Sequence, residues 1–255
     1  MQAWRDQPRT VAFGIWLASR GPLVAAGLVL AALGAVASIA VAIARHGQVG
    51  SRLPTTASTA IAWSAGATIA VGGALRALRR DREDGVLALL RARAVADRDY
   101  LWGRVVGLAT VIAIAVGGAT LVAGVAAISS TRAPLPILQS TLAALGYALA
   151  FSATMGPVAM ATLGVRSRVG GYLSLLLVLV VPELLSPWTS EILPQGWHEL
   201  TSIPAALTAV RAGIARPSAA SEPMARALAG LAAVIGLSLA VVRARTPGAD
   251  AEEEW

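Results

Sequence analysis

Residues 22–44 read PLVAAGLVLAALGAVASIAVAIA, an uncharged run that follows Arg20 and stops at Arg45. Crossing the hydrocarbon core of a bilayer takes roughly 20 helical residues at about 1.5 Å of rise each. This stretch is long enough and carries no charge to forbid the crossing, so it is read as a membrane-spanning helix. That reading decides the fold class, because a chain that enters a bilayer must satisfy its backbone within helices or a closed barrel.

Five more apolar runs lie downstream. Residues 53–75 end at Arg76, and residues 105–130 lie between Arg104 and Arg132. Residues 134–165 are overlong for one span, and Met155-Gly156-Pro157 is expected to kink them. Residues 169–185 carry Pro182 near their end, and residues 227–242 are short, so that Arg226 and Arg243 must snorkel outward. The expected fold is all-α: a polytopic integral membrane protein with six transmembrane helices in a single transmembrane domain.

Composition agrees. The 255 residues are 56% hydrophobic and 14% charged, where a soluble domain carries roughly a quarter charged residues. The net charge is +7 and every cationic side chain is arginine. These arginines cluster at the ends of apolar runs, where they mark topology and anchor headgroups, so the basicity does not imply nucleic acid. The all-arginine, alanine-rich usage fits a high-GC bacterial genome, which points to a bacterial cytoplasmic membrane. There is no cysteine, which excludes disulfides, thiolate catalysis and cysteine metal sites. His46 and His198 fall in separate loops and hold no metal between them.

An even number of spans puts both termini on one side. The N-terminal segment, second and fourth loops and C-terminal segment hold fifteen arginines against six in the other loops. The excess marks the first set as cytoplasmic. The first apolar run is too long for a signal-peptide core, so no cleaved leader is expected. Residues 3–20 alternate Trp4, Val11, Ile15 and Trp16 with Arg5, Arg9 and Arg20, the pattern of an amphipathic helix lying in the interface. Residues 186–223 form an external loop rich in proline and tryptophan, expected to fold as short helices or a re-entrant turn, with Leu200 to Ile214 as one such helix. The acidic segment from Asp250 to Trp255 is expected to be disordered.

The second loop, residues 76–104, holds thirteen charged residues. Val86, Leu87, Leu89 and Leu90 form an apolar patch between Arg82, Glu83, Asp84 and Arg91, Arg93, and Asp97 is placed to cap the turn that leads into the third span. An amphipathic cytoplasmic helix of this kind suits docking in a partner's groove, and it equally suits resting on the inner leaflet with its arginines on lipid phosphates.

The stretch Arg82-Glu83-Asp84-Gly85-Val86-Leu87-Ala88-Leu89-Leu90, with Gly103-Arg104 downstream, resembles the cytoplasmic loop of ABC-2 type transporter permeases. Glu83, Gly85, Leu87, Leu90 and Gly103 match that family's pattern; Val86, Ala88, Ala94 and Arg104 depart from its frequent threonine, glutamate, proline and lysine. Leu200 to Gly213, with Pro204 and Val210-Arg211, resembles the family's outer segment before the last span. The resemblance implies an ATP-driven exporter in which two permease copies, or two similar permeases, each lay a coupling helix on a separate ATP-binding subunit. Glu83, Asp84, Gly85, Leu87 and Leu90 would form that docking surface. A phosphate-binding loop uses lysine and this chain has none, so ATP and magnesium would belong to the partner and this chain would hold no cofactor of its own.

Two other sets are candidates. Glu183 is the only acidic residue inside an expected span; such carboxylates are functional suspects, but beside Pro182 and near the outer interface it more simply ends a helix. Thr59, Ser64, Thr68, Ser152 and Thr154, with Thr141 and Thr162, are able to line a polar path, though such residues more often pack between helices alongside Gly27, Gly34, Gly66 and Gly117. Competing readings are a haem-exporter B-like permease, an ion-coupled secondary transporter, for which several buried carboxylates would be expected, and a non-transporting scaffold. No cluster of His, Asp or Glu converges as a membrane enzyme requires.

Overall fold

The computed structural model describes residues 3–45, 50–75, 77–86, 89, 92, 96–131, 134–164, 168–192, 200 and 202–244. Leu87, Leu90, Arg132, His46, His198 and the acidic C-terminal segment, all singled out from the sequence, lie outside that set. The described residues are predominantly helical, with no strand among them.

The helices in chain order are α1 (Ala3–Ser19), α2 (Pro22–Ala44), α3 (Arg52–Ile61), α4 (Ala67–Ala74), α5 (Ala77–Glu83), α6 (Asp97–Ser129), α7 (Pro134–Ala159), α8 (Arg168–Leu179), α9 (Val181–Ile192), α10 (Ile203–Ala215) and α11 (Pro217–Ala244). A π-helical turn, Ala62–Gly66, joins α3 to α4, and a second, Met160–Gly164, extends α7. Among the described residues, four helical stretches are long and apolar enough to cross a membrane: Pro22–Ala44, Asp97–Ser129, Pro134–Gly164 and Pro217–Ala244. Helical residues 52–74 have the length, but Arg52 and a run of threonines and serines dilute their apolar character.

Leucine, valine and isoleucine side chains stand exposed along α2, α8 and α9, including Leu33, Val36, Ile43, Leu173, Leu177 and Leu184. In water such a surface would be costly; against lipid it is the expected exterior. The chain is therefore a membrane protein.

The centre of the bundle is α6 and α7. Around α6 lie α1, α2 and α3, and α7 packs against α6, α3, α10 and α11. The interior is built of small residues, with Tyr147, Phe151, Met155 and Leu108 filling the larger spaces. Without a hydrophobic force between helices in lipid, close backbone approach is what holds them, and small residues permit it. A Cβ on Gly27, Gly34 or Gly66 would fall 2.5–2.7 Å from Ile69, Ile61 or Phe151. Gly117 differs: among the described residues nothing lies within 4 Å of its Cβ position.

Several boundaries depart from expectation for local reasons. The helix expected from residue 105 starts at Asp97, with Asp97 and Asp99 in its first turn and Ala96 as the extended cap residue. Asp97 thus favours the helix dipole from inside the helix and is not the cap. Pro157 does not end its helix; the chain continues and widens into the Met160–Gly164 π-turn three residues on, one way a helix absorbs the missing N–H. The fifth apolar run extends to Ile192, turning at Val180. The last helix begins at Pro217, ten residues before the expected position. It is kinked rather than absent there: Ala220 leaves helical geometry (φ −130°) and Pro223 has no N–H for the turn behind it.

The expected helix of the fifth loop forms as α10, and it lies inside the bundle. Ser202 begins it, its Oγ accepting the Ala205 N–H at 3.3 Å. A Cβ on Gly230 would fall 3.0 Å from the Leu200 carbonyl oxygen, and one on Gly213 would fall 2.5 Å from Met224. Gly230 is thirteen residues into α11, roughly 20 Å along it. The segment before α10 therefore reaches that far down the bundle, and α10 climbs back antiparallel to α11. The two form an antiparallel helix hairpin.

Candidate functional site

At the end of the bundle where α6 begins, α5 is held by a buried ionic cluster. Ala77 and Leu78 pack inward, and so does Asp81, one turn on. The Arg104 guanidinium donates from Nε to Asp81 Oδ2 at 2.7 Å and from Nη2 to Oδ1 at 3.1 Å, and the Tyr100 hydroxyl donates to the same carboxylate. Asp81, Tyr100 and Arg104 are each 5% exposed or less. Tyr100 and Arg104 share a face of α6 by their i, i+4 spacing. Removing two charges from water is expensive, and the side-on pair with a third hydrogen bond is the geometry that offsets it.

Beyond Asp81 the surface turns outward. Glu83 and Asp84 are exposed, Arg80 reaches Asp84 at 3.5 Å on the surface, and Gly85 takes φ +70°, the left-handed conformation that stops α5. The Leu89 N–H bonds back to the Gly85 carbonyl at 3.1 Å and the Leu89 side chain is exposed. Of the five residues assigned to partner docking, Glu83, Asp84 and Gly85 are thus gathered on an exposed turn. Asp81 was missed in the sequence because it looked like one more charge in a charged loop; its separation from Arg104 by 23 positions carries no periodic signal.

At the same end, α1 crosses α6 backbone to backbone. A Cβ on Gly14 would meet the Gly103 carbonyl oxygen at 1.9 Å, one on Gly103 the Thr10 carbonyl oxygen at 2.6 Å, and one on Gly107 the Gly14 carbonyl carbon at 2.3 Å. The helix expected over residues 3–20 is present, with Trp16 exposed, stacked on Phe13 and covered by Arg20 at 3.4 Å.

The opposite end holds a second polar cluster. Arg211 of α10 donates from Nη1 to the Thr59 hydroxyl at 2.7 Å and to the Thr55 carbonyl at 3.1 Å, and its guanidinium lies 5.3 Å from the centre of the Tyr147 ring. Trp63 Nε1 donates to the Tyr147 hydroxyl at 2.9 Å, and Trp63 meets Phe151 edge-on at 5.2 Å. Trp63 sits in the Ala62–Gly66 π-turn, a kind of helix irregularity that recurs at functional sites. Gln139 ties α7 to the end of α10, donating to the Ala215 carbonyl at 2.6 Å.

Of the hydroxyl residues suggested for a path, Thr59 alone joins a side-chain network. Ser64, Thr68, Ser152 and Thr154 donate to carbonyls four residues back in their own helices, as do Thr141 and Thr162. Ser152 and Thr154 are buried, whereas Ser64 is exposed. All six hydroxyls are thus satisfied within their own helices.

Glu183 is on the first turn of α9 and accepts a hydrogen bond from the Ser202 hydroxyl. Its carboxylate therefore stands at the N-terminus of α10, where negative charge is favoured. It borders a groove of about 460 Å³ walled by Pro204, Thr208, Ala209, Ala212 and Pro223. Among the described residues no group of three or more His, Asp or Glu side chains is arranged to hold a metal ion.

No protein-family model, no curated protein and no solved structure matches the chain.

Proposed function

We propose that the chain is the permease subunit of an ABC-2 type ATP-driven exporter in a bacterial cytoplasmic membrane. In this reading six stretches cross the bilayer: residues 22–44, 52–74, 97–129, 134–164, 168–192 and 217–244. Residues 52–74 and 168–192 each extend for roughly 35 Å, enough to span. Both termini are cytoplasmic, as the arginine excess requires. Two permease copies, or this chain and a similar one, enclose the path, and two ATP-binding subunits carry ATP and magnesium.

The observation that supports this reading most is the buried Asp81–Arg104–Tyr100 cluster. A loop that only rested on lipid would have no need of a desolvated ion pair tying it to a spanning helix. A loop that transmits force does, since a displacement of α5 must move α6 with it. Glu83 at the end of α5, Asp84 and the segment carrying Leu87 and Leu90 are the surface offered to a motor subunit.

The test is the double variant Leu87→Ala, Leu90→Ala, co-expressed with the ATP-binding subunit that this reading requires. Truncating two interface leucines costs on the order of 1–3 kcal/mol each. The expected result is a permease that inserts normally, recovers little ATPase on purification and no longer links hydrolysis to transport. Recovery of the ATPase at the wild-type level, with transport intact, would remove the coupling role from this segment.

A further inference from the structure

Arg211 is a cation that the exporter reading leaves without a task, and its chemistry is independent of that reading. The guanidinium sits among α3, α7 and α10, with Thr59 seven residues into helical residues 52–74, roughly 10 Å from their start. A charge placed that far along an apolar bundle is costly unless paired or used. No described carboxylate forms an ion pair with it. Its two hydrogen bonds both leave from Nη1. Guanidinium has five N–H donors, so the whole Nε–Nη2 edge, the edge that meets oxyanions side-on, has no partner among the described residues.

The surroundings hold that edge in place. Nη1 is fixed by the Thr59 hydroxyl and the Thr55 carbonyl, and the Tyr147 ring lies against the guanidinium. The Tyr147 hydroxyl accepts from Trp63 and also interacts with Thr59, which fixes the ring within the cluster. One unneutralised positive charge, a presented two-donor edge and neutral walls define a site for a single negative group with two oxygens.

We propose that Arg211, with Thr59 and Tyr147 positioning it, binds one oxyanion, a phosphate or carboxylate, at the end of the bundle remote from α5. The group belongs either to an anionic lipid whose headgroup reaches the cluster or to a soluble anionic solute.

Trp63 reports on the site through its hydrogen bond to Tyr147. The full chain in dodecyl maltoside is titrated with inorganic phosphate in one arm and with short-chain phosphatidylglycerol in the other, while tryptophan emission is followed. The wild type is expected to give a saturable change in at least one arm, and Trp63→Phe should remove it. A response to phosphatidylglycerol alone identifies a lipid headgroup; a response to phosphate identifies a soluble oxyanion. Arg211→Lys, which keeps the charge but not the two-donor edge, should weaken half-saturation by about tenfold or more, and Arg211→Ala should abolish it with the helical circular dichroism unchanged. A wild type silent in both arms, or an Arg211→Ala protein that responds like the wild type, would overturn the proposal. If Arg211→Ala fails to fold, the Arg211→Lys comparison decides alone: unchanged half-saturation overturns it.

Discussion

Arg104 grips both oxygens of Asp81, at 2.7 and 3.1 Å, in a site where each residue is about one-twentieth exposed. The pair fastens α5 to α6. Breaking it from one side strands a charge in low dielectric, at a cost of about 3–5 kcal/mol, whereas removing both charges together forgoes little net energy. Asp81→Ala and Arg104→Ala should therefore each lower the thermal midpoint in detergent markedly. Asp81→Leu with Arg104→Met should recover much of that loss. Single variants that melt with the wild type would mean that water reaches the pair.

The crossing of α1 over α6 has no room for a methyl group. Gly107→Ala places a Cβ against the Gly14 backbone, which cannot rotate aside as a side chain can. The expected outcome is displacement of α1, with a loss of about 1–3 kcal/mol and faster proteolysis within residues 3–19. Gly117→Ala on the same helix meets nothing within 4 Å and should be neutral or slightly stabilising, since alanine favours helix over glycine by about 1 kcal/mol. Equal protease sensitivity in the two variants would refute the close crossing.

Ser202 serves two partners, capping α10 and donating to Glu183. Ser202→Ala should cost about 1 kcal/mol from the cap alone and leave the carboxylate without its donor. Glu183→Gln keeps an acceptor oxygen and should be milder. Because the two share one hydrogen bond, their effects should fall short of adding in a double-mutant cycle. Strict additivity of the melting shifts would show that the two side chains do not interact.

The proposed topology rests on the arginine distribution and is testable because the chain has no cysteine of its own. Single cysteines at positions 132 and 198 should react with an impermeant thiol reagent in intact cells. Cysteines at 80 and 168 should react only after permeabilisation. Labelling of position 80 in intact cells would refute the six-span arrangement.

The membrane class was legible in the sequence because length and hydropathy are local properties. The uncharged runs at 22–44, 105–130 and 134–165 each exceed what a bilayer demands, and the structure has helices there. The left-handed turn at Gly85 was not legible there: Gly85 stands out in the sequence only as a match to a family pattern, beside charges that read as flanking a helix. The helix of the fifth loop was visible between its prolines, though its depth was not.

Everything that gives those helices a shared interior was decided by tertiary structure. Asp81 and Arg104, Thr59 and Arg211, Trp63 and Tyr147, and Glu183 and Ser202 are each brought together by packing across 19 to 152 positions of chain. No periodicity links such residues. A charged side chain in a loop reads alike whether it will meet water or a buried partner, because the difference lies in what packs beside it. Likewise Gly103 and Gly117 are the same residue in the same helix, and only the arrival of α1 makes one indispensable and leaves the other open.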